Sequence, residues 1–413
     1  MPQLPGLRTR SVDRRTVLVL GMLSAFGPLS LDLYLPAMPQ ISASLHCGQA
    51  ATQLTVSACL AGLALGQLVI GPLSDSRGRR GLLLIGVAGY LLLSLACAVA
   101  PNIEWLVAAR LLQGVAGSAG LVISRAMVRD LYTGREAARI FATLTLITGV
   151  APVLAPVLGA QLVRVTSWHG MFLALAGVGA LLLLAAASLP ETRPPALRRP
   201  AGLRLHLRAL GALGRERAFV GYAMTLGLSQ AALFTYIAAS PFVIEQLYGL
   251  SPQAFSALFA VNALGIVAGG QVSRLLVRRI GPGPLLRVAL WLQVAGTGAL
   301  VATGLAGRPQ LVLLMVPLCV AVSTIGVVSP NATALAMAPF AAAAGSASAQ
   351  LGAAQLLVGA LLSPLSGLGG HRSIEPMAGL MCVLACAATL TYRVVVRPAL
   401  AGQPTGETTA TRS

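Results

Sequence analysis

The chain contains no lysine, and only 10% of its 413 residues are charged against 56% that are hydrophobic. An average soluble protein carries about 25% charged residues. So little charge cannot cover the surface of a soluble domain of this length, and that class is excluded. Without lysine there is no Walker-type phosphate loop, which excludes ATP-driven work by this chain alone. Histidine is also scarce: His46, His169, His206 and His371 are scattered at loops and span ends. No cluster supports acid–base, nucleophilic or metal chemistry, so neither an enzyme nor a cofactor is expected. The six cysteines (Cys47, Cys59, Cys97, Cys319, Cys382, Cys386) show no paired spacing. Five of them fall in apolar runs, where a free thiol behaves as a small hydrophobe. That argues against a disulfide scaffold.

What is abundant is long apolar sequence punctuated by arginine. The formal net charge of +18 would raise nucleic acid as a partner, but its distribution excludes one. All 29 basic residues are arginines, set in short clusters between uncharged runs rather than along one stripe. Arg14 and Arg15 precede an apolar stretch, as in a signal peptide, yet the run continues through Asp32 into Leu35-Pro36 and many more such runs follow. It reads as a first helix with a basic inner flank.

A membrane-crossing helix needs about 20 predominantly apolar residues. With charges as boundaries, twelve candidates emerge: Thr16–Ala37, Gln53–Leu73, Gly81–Val99, Trp105–Ser124, Ile140–Val163, Met171–Leu189, Phe219–Ile244, Pro252–Gln271, Ala289–Leu305, Leu311–Ala336, Ala342–Gly369 and Pro376–Thr391. The turn before the eleventh is placed near Met337–Ala341, with Pro339 as punctuation. With the N-terminus inside, the cytoplasmic segments hold 25 arginines against 3 on the opposite side (Arg164, Arg308, Arg372). By the excess of basic residues on the cytoplasmic side, both termini are cytoplasmic.

The Pro- and Arg-rich segment 190–217 divides the chain. The expected organisation is a tail (1–15), a six-helix bundle (16–189), a central cytoplasmic loop (190–217), a second six-helix bundle (218–392) and a tail (393–413). Gly71…Arg79-Arg80 after the second span is echoed by Gly270…Arg278-Arg279 after the eighth, at an offset of 199. Two similar halves packed around a midplane cavity are a common transporter plan.

Asp32 and Arg110 are the ionisable residues well inside these spans. A central charge costs about 2.5–3.5 kcal/mol on insertion scales, so it normally faces a cavity or a partner. Each lies five residues from the outer end of its helix, roughly 7–8 Å deep at ~1.5 Å per residue. Equal depth in one half permits a pair or a shared aqueous cavity. Asp32 is therefore the candidate proton carrier, its affinity set by its exposure and its distance from Arg110. Gly71-Pro-Leu-Ser-Asp75-Ser-Arg77-Gly78-Arg79-Arg80 forms a tight basic loop in which Asp75 either pairs locally or meets a helix N-terminus. Gly149, Pro152, Pro156 and Gly159 run through the fifth span and offer close packing or a bend. Candidate cavity residues are Tyr34, Gln113, Gln230, Phe234, Tyr236, Asn262, Gln293 and Asn331.

These segments together resemble the major facilitator superfamily, specifically its twelve-span drug:proton antiporters. Gly71–Arg80 looks like its signature loop, and Arg110-Leu-Leu-Gln113-Gly114 its fourth-helix motif. Pro28-Leu-Ser-Leu-Asp32-Leu-Tyr34-Leu-Pro36, Val128-Arg129-Asp130-Leu-Tyr132, Ala151-Pro152-Val-Leu-Ala155-Pro156, Ser167-Trp168-His169-Gly-Met-Phe172 and Gly345-Ser-Ala347-Ser348 narrow the likeness. Together they resemble the bicyclomycin resistance and chloramphenicol/florfenicol exporter family, its bicyclomycin branch most. The resemblance implies an all-α integral membrane fold of twelve helices in two bundles. It also implies proton-driven antibiotic efflux by alternating access, with Asp32 and Arg110 in coupling and Gly71, Asp75, Arg77, Gly78 and Arg79 in a gating loop. Partners would be a small molecule, protons and membrane lipid, with the chain a monomer in a bacterial cytoplasmic membrane. Three departures stand out: Ala151 and Ala155 precede the prolines where the general antiporter pattern has a glycine, Arg274 stands where the echo loop would repeat Asp75, and Ala336–Ala344 lacks charge. The alternative is the same fold carrying a metabolite such as an amino-acid derivative or sugar. A channel would need a filter-like loop, and none appears.

Overall fold

The structure, a computed structural model, describes residues 13–198, 211, 213–306, 310–369 and 373–401. His206, His371, Arg8, Arg10, Arg199, Arg204, Arg208, Arg308, Arg372 and Arg412 lie outside the described residues. Among those described, eleven helices are long and apolar enough to cross a membrane, and a bent pair makes a twelfth. We number them α1 (Arg14–Ser24 with Phe26–Ser44), α2 (Gln49–Arg77), α3 (Arg79–Ala98), α4 (Ile103–Leu131), α5 (Gly134–Val165) and α6 (Trp168–Ala187). The second half holds α7 (Arg217–Leu247), α8 (Pro252–Ile280), α9 (Pro282–Leu305), α10 (Leu311–Phe340), α11 (Ala347–Gly369) and α12 (Glu375–Ala399). The chain is thus an all-α, multi-pass membrane protein.

All twelve expected spans are present, with shifted ends. Asp13 starts α1 two residues early by accepting the backbone N–H groups of Arg15 (3.1 Å) and Thr16 (3.3 Å) and the Thr16 hydroxyl (2.7 Å). The Thr16 hydroxyl, more than the Arg15 amide, holds this carboxyl below the usual carboxylate range. At the other end α12 continues to Ala399, beyond the expected limits of 391 for the span and 392 for the bundle. A shorter extension moves a charge: α7 runs past Ile244 as a π turn over Phe242–Leu247. That places Glu245 inside the span instead of in a loop.

Within the first half α4 packs on α2 and α3, and α3 on α6. Small residues at the contacts, such as Gly62 and Gly114, let the backbones approach. Within the second half α7 packs on α11 and α12, α9 on α12, and α8 on α10. The halves meet along α2–α11 and α5–α8.

Their shared core is one-ended, although α2 and α11 stay close as far as Gln67 and Gly352. At the face opposite the termini a single hydrophobic core runs through both halves, from Tyr34, Leu60 and Phe172 to Phe255, Leu318 and Met381. Near the termini the core splits in two, one around Leu23, Tyr90 and Met127 and the other around Phe219, Leu290 and Tyr392. The hydrogen bonds between bundles follow the same division. Ser57 and Ser363 share one at 3.1 Å, and the Ser366 hydroxyl donates to Gln53 Oε1 at 3.2 Å. Gln253 Nε2 donates to the Ala160 carbonyl at 2.7 Å, and the Ser256 hydroxyl to that of Pro156 at 2.8 Å. All four lie at the face away from the termini. Neutral bonds of this kind are worth about 0.6 kcal/mol each in a membrane protein, so this seal is one that can open.

Candidate functional site

The site is organised by the break in α1. Its two segments are bent by 41°, and the second loosens again into a 3-10 turn at Leu35–Ala37. Pro28, Pro36 and Pro39 lack the N–H that a regular helix needs. The Ala37 amide bonds to Tyr34 O at 2.9 Å instead of to Leu33 O one turn back. The Leu33 carbonyl is met by α5, where a Cβ added to Gly159 would collide with it. The Leu35–Ala37 turn itself packs on α7 and α8 of the other bundle.

Arg110 is fully buried and does not snorkel. Its Nη1 donates to Gln113 Oε1 at 2.6 Å, its Nη2 to the Ser30 carbonyl at 2.9 Å, and its Nε to the Thr55 carbonyl at 3.4 Å. The guanidinium lies 4.5 Å from the centre of the Tyr34 ring and 5.7 Å from that of Phe172. Gln113 Nε2 passes the contact on to Ser94 at 2.7 Å. Arg110 therefore clamps α1, α2 and α4 together through neutral acceptors.

Asp32 is 4% exposed. Among the described residues, neither Arg110 nor any other group gives it a hydrogen bond or an ion pair. The matched depth read from the sequence does not become a pair in this conformation. Ser30, which Arg110 holds, and Asp32 are two residues apart, about 200° around the helix, so the carboxyl is turned away from the cation. It is within electrostatic reach of the Tyr236 phenol on α7. That phenol accepts a hydrogen bond from Asn262 Nδ2 on α8 at 2.9 Å.

The candidate cavity residues separate by their partners. Gln293 joins α9 to α7 through the Ser229 hydroxyl at 2.8 Å, and Asn331 joins α10 to α8 through Ser273 at 2.7 Å. Gln113 and Tyr34 serve Arg110, and the Phe234 ring fills the space beside Gly359 on α11. Tyr236, Asn262 and Gln230 remain at the interface. Gln230 Nε2 donates to Gln355 Oε1 at 3.2 Å. The buried acceptors Gln230 Oε1, Asn262 Oδ1 and Gln350 Oε1 have no partner among the described residues. Gln350 and Gln355 escaped the sequence reading, although they are polar residues in an otherwise apolar span. Glu245, on the π turn that packs on α1, also leaves one buried carboxyl oxygen without a partner among the described residues.

The expected loop Gly71–Arg80 shrinks to Gly78, because α2 stays helical through Arg77 and α3 begins at Arg79; Gly78 adopts φ = 101°, a conformation that ordinary side chains rarely take. Asp75 takes the local option, bonding Arg79 at 2.5 Å and Arg193 at 3.5 Å. The helix N-terminus is taken instead by Glu191, which accepts the backbone N–H groups of Arg79 (2.9 Å) and Arg80 (3.1 Å). Asp130 completes the cluster, 3.0 Å from Arg79 Nε. Arg77 is exposed, and a Cβ at Gly71 would make only an ordinary contact with Val122 on α4. Glu191, Asp130 and Arg193 come from distant sequence, which is why the spacing alone did not associate them with this loop.

The fifth-span residues pack rather than break their helix: α5 is continuous through Pro152 and Pro156. Gly159 touches α1 and Pro156 faces Ser256, whereas a Cβ at Gly149 would meet nothing. Gly159→Ala is therefore expected to cost about 1–3 kcal/mol by overpacking and to impair transport. Gly149→Ala should be neutral or stabilising by up to about 1 kcal/mol. Thermal unfolding of both variants in detergent checks the contrast; equal melting would refute it.

The Major Facilitator Superfamily profile matches residues 18–364. The chain is 41% identical over 377 residues to an uncharacterized MFS-type transporter, YdgK, of Bacillus subtilis (strain 168), covering 91% of this chain and 93% of that one. It is 30% identical over 384 residues to a bicyclomycin resistance protein homolog of Haemophilus influenzae, with 91% and 94% covered. Among solved structures it resembles a D-xylose–proton symporter with a TM-score of 0.71 at 16% identity, covering 93% of this chain and 97% of that one.

Proposed function

The chain belongs to the major facilitator superfamily and is a membrane-embedded small-molecule transporter, and from that premise we propose that it couples protons to the movement of a small, uncharged solute rich in hydroxyl or N–H donors. The observation that carries the coupling is Asp32: a carboxyl with no hydrogen bond or ion pair, on a broken helix, where the two bundles meet. Alternating access changes what faces that carboxyl, and with it the proton affinity. Discontinuous helices near the midplane are where such carriers bind their ligands.

Three of the polar atoms left open in the second half bear on the nature of the solute. Gln230 Oε1, Asn262 Oδ1 and Gln350 Oε1 are neutral acceptors, and a buried acceptor without a donor costs about 1–3 kcal/mol. A solute supplying O–H or N–H groups satisfies them without bringing a charge beside Asp32. Such chemistry fits an ordinary metabolite, and it favours this reading over multidrug efflux. A structural neighbour named for D-xylose and protons is of the same kind. Antibiotic export is the second reading, favoured by the 30% identity to the bicyclomycin resistance homolog. With both termini cytoplasmic in a bacterial inner membrane, the seal lies outside and this conformation opens inward.

Reconstituted liposomes with an imposed pH gradient test the proposal. Labelled sugars, nucleosides and amino-acid amides are compared with neutral antibiotics. Movement of at least one neutral metabolite should follow the gradient and collapse with an uncoupler. Movement indifferent to the uncoupler would sink the coupling, and movement of antibiotics alone would establish the second reading.

A further inference from the structure

Away from the bundle interface, α9 and α12 enclose a groove of about 630 Å³ on the outer wall of the second half. It lies at the end of the bundle that carries the termini. On α9 it is lined by Arg287, Val288 and Trp291, which recur at helical spacing, and on α12 by Tyr392, Arg393 and Arg397. Val288 is 57% exposed and Trp291 48% exposed, so this side faces lipid. The Arg393 guanidinium stacks 4.6 Å from the centre of the Trp291 ring. A π turn over Tyr392–Val396 places Arg393 there. Among the described residues none of the three arginines makes an ion pair; all four ion pairs are made to Asp75 or Asp130 of the first half.

We propose that this groove binds an anionic phospholipid, its phosphate held by Arg287, Arg393 and Arg397 and an acyl chain lying over Val288 and Trp291. Topology alone places arginines at this level. It does not account for three unpaired arginines converging on one apolar groove, nor for a tryptophan that holds one of them at the height of the headgroups. Basic pockets between helices on the cytoplasmic side have the chemistry for acidic headgroups, and the guanidinium fork matches phosphate oxygens two at a time. The groove is open toward the acyl chains, so the committed occupant is a lipid and not a free phosphate.

Native mass spectrometry of the full chain, titrated with phosphatidylglycerol or with phosphatidylcholine, tests this. Each arginine near an anionic headgroup contributes about fivefold in affinity, so Arg287→Gln/Arg393→Gln/Arg397→Gln should weaken phosphatidylglycerol binding about a hundredfold and leave phosphatidylcholine unchanged. The triple lysine variant, which keeps the charge but loses the fork and the stacking, should fall between. Melting temperature and gel filtration report whether each variant is folded, and the single Arg393→Gln variant serves if the triple one is not. Equal retention of the two lipids by the native chain would overturn the proposal. So would retention unchanged in the variants, or sn-glycerol 3-phosphate competing at the lipid's own affinity.

Discussion

Asp32→Asn is expected to abolish gradient-driven accumulation, down to the level of empty liposomes, while exchange of solute across the membrane without a gradient continues. The asparagine keeps the size and polarity of the side chain but cannot carry a proton. Asp32 makes no hydrogen bond or ion pair here, so the change removes no structural contact, and the variant should fold and melt as the native chain does. That separation makes the experiment decisive for the proton role. Accumulation that persists in Asp32→Asn would eliminate Asp32 as the carrier and direct attention to Glu245, the acid with a buried carboxyl oxygen on the π turn of α7. Loss of both accumulation and exchange would mean that Asp32 binds the solute instead.

The second large effect is expected at Arg110. Two hydrogen bonds from a charged group at 2.6 and 2.9 Å contribute about 1.5–3 kcal/mol each, and a desolvated cation–π contact about 2. Against these stands an insertion cost of about 3 kcal/mol for a central arginine. The balance favours the arginine, so Arg110→Met should destabilise the chain by about 2–5 kcal/mol. Arg110→Lys should recover only part of it, because one ammonium cannot reach acceptors on three helices and stay over Tyr34. Denaturant titration in detergent measures both. A methionine variant as stable as the native chain would show that the cation's desolvation outweighs its contacts, leaving Arg110 a role in transport alone.

Asp32 and Arg110 illustrate how far the sequence reading reached. Their rarity in apolar runs marked them, and their depth was readable because a helix rises by a constant amount per residue. Their mutual orientation was not readable. It depends on where the proline-rich stretch breaks α1, and on which carbonyl Arg110 finds when three helices close around it. Gln293 and Asn331 met the same rule for candidates as Asn262, a polar side chain in a span. The distinction arose only when Ser229 and Ser273 arrived from other helices to take up the first two. Glu245 was lost because a charge was used to end a span, and the π turn continued through it.

The amino-acid sequence by itself determined that this chain is a twelve-helix membrane protein, because apolar length and the placement of arginine are properties of single segments and of their flanks. It determined the inventory of groups too: one acid and one cation deep in the first half, a basic junction between the second and third spans, no catalytic or nucleotide-binding set. Tertiary structure decided which ends of the bundles are joined, that Asp32 stands apart from Arg110, and that the arginines of α9 and α12 share a groove. Those are facts about residues far apart in the chain, fixed by packing and by which neighbour satisfies which buried polar atom, and no local pattern encodes them.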